Sequence, residues 1–152
     1  MLSYEEFKRV KSRHIPALYE ESNRWVSYKN ISIALVLQEL EAAGDWAQFG
    51  VYKGQTARIL ESFILPPRKL HLFDSFEGLP EAWGGTGFSK GSFALAPGEA
   101  PLFDAERSVV HRGWFQETVP LFAKRHKDAL SFLHLDADLY SSTWTVLMEL
   151  ND

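Results

Sequence analysis

From Asp45 onward the chain alternates short apolar runs with apolar residues at helical spacing, and that alternation limits the folds open to it. Residues 45–49 read as a strand, and 56–65 as a helix with Ile59, Leu60, Phe63 and Ile64 on one side, stopped by Pro66-Pro67. Residues 69–73 form a second strand ending at Asp74, 107–111 a third and 130–135 a fourth. Pro120 is expected to start a helix running to about His126, with Phe115 and Phe122 available for packing. A last helix covers 143–150, with Ser141 or Ser142 as its N-cap. This rhythm implies right-handed crossovers and a mostly parallel sheet, so the fold class is α/β, doubly wound and Rossmann-like.

Residues 1–44 read as a separate helical segment. Ser3 and Glu6 have capping-box spacing ahead of Phe7 and Val10, which predicts a helix near 4–20. Ile31, Leu35, Val36 and Leu40 predict a second helix from Asn30, ending at Gly44. The stretch 75–105 breaks the strand-helix rhythm. It is rich in glycine and proline, yet it carries Phe76, Trp83, Phe88, Phe93 and Phe103, which favour a lid over a featureless linker.

Composition excludes several function classes. At 152 residues and 45% hydrophobic content, one globular core is the expectation. The net charge of −4, with no long basic run, argues against nucleic acid as a partner. The absence of cysteine excludes disulfides, thiolate metal sites and cysteine nucleophiles. The acidic start is unlike a signal peptide, and no stretch approaches the roughly 20 apolar residues of a membrane span. A cytoplasmic protein without a membrane partner is expected.

In an open parallel sheet, ligands bind beyond the carboxyl ends of the strands. The first such end is Gln48-Phe49-Gly50-Val51-Tyr52-Lys53-Gly54, whose glycines would let the backbone pass close to a ligand or would simply make a strand-to-helix turn. Its G-x-x-x-G spacing is neither a dinucleotide fingerprint nor a phosphate loop. The second end carries Asp74, followed by Ser75 and Phe76; its carboxylate can accept from both ribose hydroxyls of a nucleoside, or cap a turn. The third, around Gly113-Trp114-Phe115, offers aromatics either to an adenine ring or to the core. At the fourth, Asp136 and Asp138 share a side if the extended path continues past the strand. Two such carboxylates repel unless a proton, a cation or solvent intervenes, and Mg²⁺ typically takes one or two carboxylates. A solvated pair of turn aspartates remains open, as do a core role for His134 and either a packing or a pocket role for Tyr140.

These residues carry a resemblance. Phe49-Gly50-Val51-Tyr52-Lys53-Gly54, Phe73-Asp74-Ser75-Phe76-Glu77-Gly78-Leu79-Pro80, Gly113-Trp114-Phe115 with Thr118 and Pro120, and His134-Leu135-Asp136-Ala137-Asp138-Leu139-Tyr140 with Ser142-Thr143 stand in the order found in the macrocin O-methyltransferase family. The chain resembles this family of class I S-adenosylmethionine enzymes, which methylate hydroxyls of natural-product sugars. The resemblance implies S-adenosylmethionine held by the first loop with Asp74 on the ribose. It also implies a divalent metal, usually magnesium, on Asp136, and Asp138 as catalytic base or metal-shell partner beside Asp136. Gln48 stands where the family usually has glutamate, which removes a negative charge that could pair with the cofactor's ammonium group. The family continues past the position of Asp152 into a further strand bearing an acidic pair, so residues 45–152 are expected to be a cofactor-binding α/β domain incomplete at its carboxyl end.

The expected function is therefore magnesium-assisted methyl transfer to a hydroxyl of a sugar-containing small-molecule acceptor, with a homo-oligomer possible. The alternative is a truncated, catalytically incompetent binding or dimerising module. An NAD-dependent oxidoreductase could use Asp74 equally well, but it lacks its glycine fingerprint here.

Overall fold

The computed structural model describes residues 43–151, within the second of the two units into which the chain divides, Ala43–Asp152. The two helices read at 4–20 and from Asn30 lie outside the described residues, apart from Gly44. The described elements run β1 (Asp45–Phe49), α1 (Gln55–Ser62), β2 (Leu70–Asp74), β3 (Ser108–Arg112), α2 (Phe115–Arg125), β4 (Leu130–Leu135) and α3 (Tyr140–Glu149). Every strand pairing is parallel, and the order across the sheet is β3-β2-β1-β4. No helix among the described residues is long and apolar enough to cross a membrane.

Burial follows position in the sheet. The central strands β1 and β2 are buried along nearly their whole length, as expected of strands covered on both faces. The edge strands β3 and β4 are partly exposed. Alternation along β1 sends Ala47 and Phe49 to one face, where they join Phe73, Val119, Phe122 and Val146 in a single cluster beneath α2 and α3. Phe49 stacks on Phe73 at 4.5 Å, and Phe115 meets Phe49 edge-on at 5.8 Å. Trp46, Gln48, Leu70 and Leu72 alternate to the opposite face. α1 contributes buried Ala57, Ile59 and Leu60 and packs against β2.

The helix bounds differ from the sequence reading: α1 spans Gln55–Ser62 and ends at its C-cap Phe63, short of the expected 65, and the starts of α2 and α3 are displaced further. α2 begins at Phe115, so Pro120 lies inside the helix and not at its start. The first turn closes without Pro120, since the amides of Glu117 and Thr118 both donate to the Trp114 carbonyl. The bond that Pro120 cannot donate is offset by burial of Val119 and Phe122. Glu117 in the first turn and Lys124 and Arg125 in the last also suit the helix dipole. α3 starts at Tyr140, with Leu139 as its N-cap and no side-chain capping bond; Ser142 is buried in the first turn.

Candidate functional site

The carboxyl ends of the four strands are tied to one another by hydrogen bonds. The Gly50 amide donates to the Phe73 carbonyl, the Asp136 amide to the Phe49 carbonyl, and the Gly113 amide to the Asp74 carbonyl. All four ends singled out in the sequence thus meet along one edge of the sheet, which brings Gln48 to Gly54, Asp74 to Phe76, Gly113 to Phe115 and Asp136 to Tyr140 into one neighbourhood.

Asp74 organises this edge. Its Oδ2 accepts from the amides of Val51 at 2.7 Å and Tyr52 at 2.8 Å, and its Oδ1 accepts from the Phe76 amide at 2.7 Å. The carboxylate therefore holds the β1 loop and its own turn together. An ionised carboxylate offers about four acceptor sites, so three amides leave room for about one further donor. The turn reading of this residue describes most of what its oxygens do, and a ribose hydroxyl would share them with the backbone.

The room left by the loop glycines is filled by protein atoms. Gly50 has φ +87°, and a Cβ there would overlap the Asp136 carbonyl oxygen. Its lack of a side chain brings the β1 loop onto the end of β4. Gly54, at φ +78°, is the N-cap of α1 and lies against Phe103 and Pro101, at the far end of the long loop.

Gln48 is 1% exposed, and its Nε2 donates to the Gly50 carbonyl at 2.7 Å. Its Oε1 is buried and accepts no hydrogen bond from the protein. A buried amide oxygen in that condition costs free energy until a donor reaches it. The side chain also yields a prediction. In Gln48→Glu the bond to Gly50 survives only while the carboxyl is protonated, so the folded-state pKa of the new glutamate should rise above its unfolded value of about 4.3. A raised carboxyl pKa gives stability that is present below the unfolded pKa and lost as pH rises through the folded one. Urea midpoints of Q48E measured from pH 4 to pH 8 should fall progressively relative to the native chain, and parallel curves would contradict this reading.

The fourth strand end departs from the sequence reading. β4 stops at Leu135, Asp138 adopts φ +58°, and the Leu139 amide turns back to the Ala137 carbonyl. The extended path does not continue, so alternation does not put Asp136 and Asp138 on one side. Both are exposed. Tyr140 is exposed as well and stacks against Trp144 at 6.1 Å.

Residues 75–105 are held against this edge. Phe76 and Leu79 are buried. The Leu79 and Gly91 amides donate to the carbonyls of Ser92 and Leu79, and Trp83 bridges Phe88 in antiparallel fashion. Phe93 touches Tyr52 edge-on at 5.8 Å, and Ser141 Oγ donates to Glu81, so the segment reaches both the β1 loop and the start of α3. Arg112, at the end of β3, lies 5.7 Å from the Phe76 ring centroid. Trp114 is half-buried at the N-cap of α2, whereas Phe115 points into the core, which favours packing over ligand contact for that ring.

No family model matches the chain. Over 127 residues it is 28% identical to the demethyldecarbamoylnovobiocin O-methyltransferase of Streptomyces niveus. The chain is similar to that O-methyltransferase. The match covers 70% of this chain and 47% of the relative, so the chain spans about half the length of the curated protein it matches. The fold agrees. The crystal structure of CalS11, a calicheamicin methyltransferase, superposes with a TM-score of 0.65 at 21% identity, covering 99% of this chain and 74% of that one. The O-methyltransferase NovP gives a TM-score of 0.64 at 24% identity, over 81% of this chain and 59% of NovP. The four parallel strands and their helices are thus the Rossmann-like fold of these methyltransferases.

Proposed function

We propose that the chain carries the cofactor-binding part of an S-adenosylmethionine-dependent O-methyltransferase whose acceptor is a hydroxyl of a sugar-containing natural product. The observation that carries this reading is the relationship to an O-methyltransferase of novobiocin type, aligned over 127 residues. A structural neighbour described as a TDP-rhamnose 3′-O-methyltransferase of calicheamicin biosynthesis, with a TM-score of 0.60, supports the acceptor class.

The strand ends suit the cofactor chemically. Gln48 Oε1 is a buried acceptor in need of a donor, and an ammonium group supplies one. The remaining lone pair on Asp74 suits a ribose hydroxyl. Gly113 and Trp114 would flank the adenine, and Val51, Tyr52, Ser75 and Phe76 would bound the rest. S-adenosylmethionine supplies a methyl group on a sulfonium centre. In the transfer the new C–O bond forms as the C–S bond breaks, and the acceptor's hydroxyl proton must go to a base. Asp136 or Asp138 would take that proton. Asp136 would also be the oxygen ligand for Mg²⁺, which takes few carboxylates and keeps several waters; bound there, magnesium would lower the pKa of the acceptor hydroxyl. Phe93 against Tyr52, with Phe88 packed on Phe93, would exclude water.

Calorimetric titration tests the cofactor class. S-adenosylmethionine should bind at one equivalent per chain, and NAD should give no signal. NAD binding without any response to S-adenosylmethionine would replace this reading with an oxidoreductase.

A further inference from the structure

A second cluster of chemistry-bearing side chains lies at the opposite ends of the same strands. Asp45 is the first residue of β1, His71 the second of β2, and His126 the C-cap of α2. Asp45 Oδ2 lies 3.1 Å from His71 Nε2 and 3.8 Å from His126 Nε2, and the three ligand atoms all fall within 4.8 Å of one another. From Asp45 to Phe49, four residue steps along β1 separate this cluster from the cofactor edge by about 13 Å.

We propose that Asp45, His71 and His126 form a binding site for a zinc-like divalent transition-metal ion, bound through Asp45 Oδ2 and the Nε2 atoms of both histidines. Ligand atoms about 2.1 Å from a tetrahedral ion sit roughly 3.4 Å apart. The two Asp–His separations lie on either side of that value, so small side-chain adjustments complete the geometry. Two imidazoles and one carboxylate select zinc-like ions over magnesium, which prefers oxygen ligands.

An ordinary hydrogen bond accounts for His71 and Asp45 but not for His126. The His126 Nε2 atom is buried and has no hydrogen-bond partner, and at 3.8 Å from Asp45 it is too far to make one. A metal ion would satisfy it. The supporting contacts are also those a metal site uses to orient its ligands. The Lys69 amide donates to Asp45 Oδ1 at 2.7 Å, leaving Oδ2 for the ion. His71 Nδ1 meets His111 Nε2 at 3.0 Å, and the His126 ring stacks on Phe122 at 4.5 Å.

The site has a spectroscopic signature. Asp45 Oδ2 can only accept, so in the metal-free chain His71 Nε2–H donates to it, and with a single ring proton His71 Nδ1 then accepts from His111 Nε2–H. A metal on His71 Nε2 displaces that proton to Nδ1 and reverses the bond with His111. The ion would tie the carboxyl end of α2 to the starts of β1 and β2.

Zinc chloride titrated into the untagged chain should bind at one equivalent and raise the melting temperature, reversibly on adding a chelator, whereas magnesium chloride should not. His126→Gln and Asp45→Asn should each weaken zinc at least tenfold, with a metal-free melting temperature close to that of the native chain for the former. Nitrogen NMR of the native chain should show His71 passing from the Nε2–H to the Nδ1–H tautomer. Absence of stoichiometric zinc binding, an unchanged His71 tautomer on zinc addition, or undiminished affinity in both variants would overturn the proposal.

Discussion

Gly50→Ala should lower the stability of the chain by about 3 kcal/mol or more, combining the strain of a left-handed residue with the cost of overpacking. Two independent faults meet at this position. The backbone has φ +87°, which side chains rarely tolerate, and the added methyl would overlap the Asp136 carbonyl oxygen, a backbone atom that moves only if β4 moves. Gly85 provides the control. It has φ +81° but nothing within 4 Å of where its Cβ would lie. Gly85→Ala should therefore show only the backbone penalty, about 1 kcal/mol. Urea midpoints for the two variants separate the contributions. Equal losses would mean that the close approach of the β1 loop to β4 is not what Gly50 is there to permit.

Asp74→Ala should cost about 3 kcal/mol and weaken S-adenosylmethionine at least tenfold. Three amides lose a charged acceptor at once, and bonds of this type contribute roughly 1.5–3 kcal/mol each where they are shielded. The Tyr52 amide is exposed and can turn to water, which keeps the total below the simple sum. Asp74→Asn should recover less than half of the loss, because its one carbonyl oxygen cannot serve both the Val51–Tyr52 pair and Phe76, and its amide nitrogen would face donors. Calorimetry and denaturant melts on the two variants check both effects. An Asp74→Asn variant with native stability would show that the loop is held by something else.

Much of the fold is legible in the sequence because strands here are short apolar runs between strong breakers. The bounds of β1 and β4 agree with the sequence reading, and β2 and β3 end one residue later than expected. That shift has a shared cause, since the last pairing, Asp74 opposite Arg112, depends on the neighbouring strand and not on local apolarity. The start of α2 was obscured by Pro120, because a proline within a helix reads from sequence as a beginning. The candidate site was legible through position, as four motifs that each follow a strand and that the structure brings to one sheet edge. What those residues do there was less visible. Asp74 and Gly50 serve the loop's own architecture through contacts 20 or more residues away in sequence, and Asp136 and Asp138 are separated by a turn that alternation cannot foresee. The cluster of Asp45, His71 and His126 had no local signature at all. Its members lie on three elements and meet only because of the strand register and the docking of α2, so spacing along the chain carries no trace of it.

The central claim is that the carboxyl ends of the parallel strands hold S-adenosylmethionine. Backbone amide NMR during titration with S-adenosylmethionine tests it most directly. The account predicts shifts concentrated at residues 48–54, 74–76 and 113–115, with Asp45, His71 and His126 unmoved. Shifts confined to the amino ends of the strands, or none at saturating S-adenosylmethionine, would contradict it.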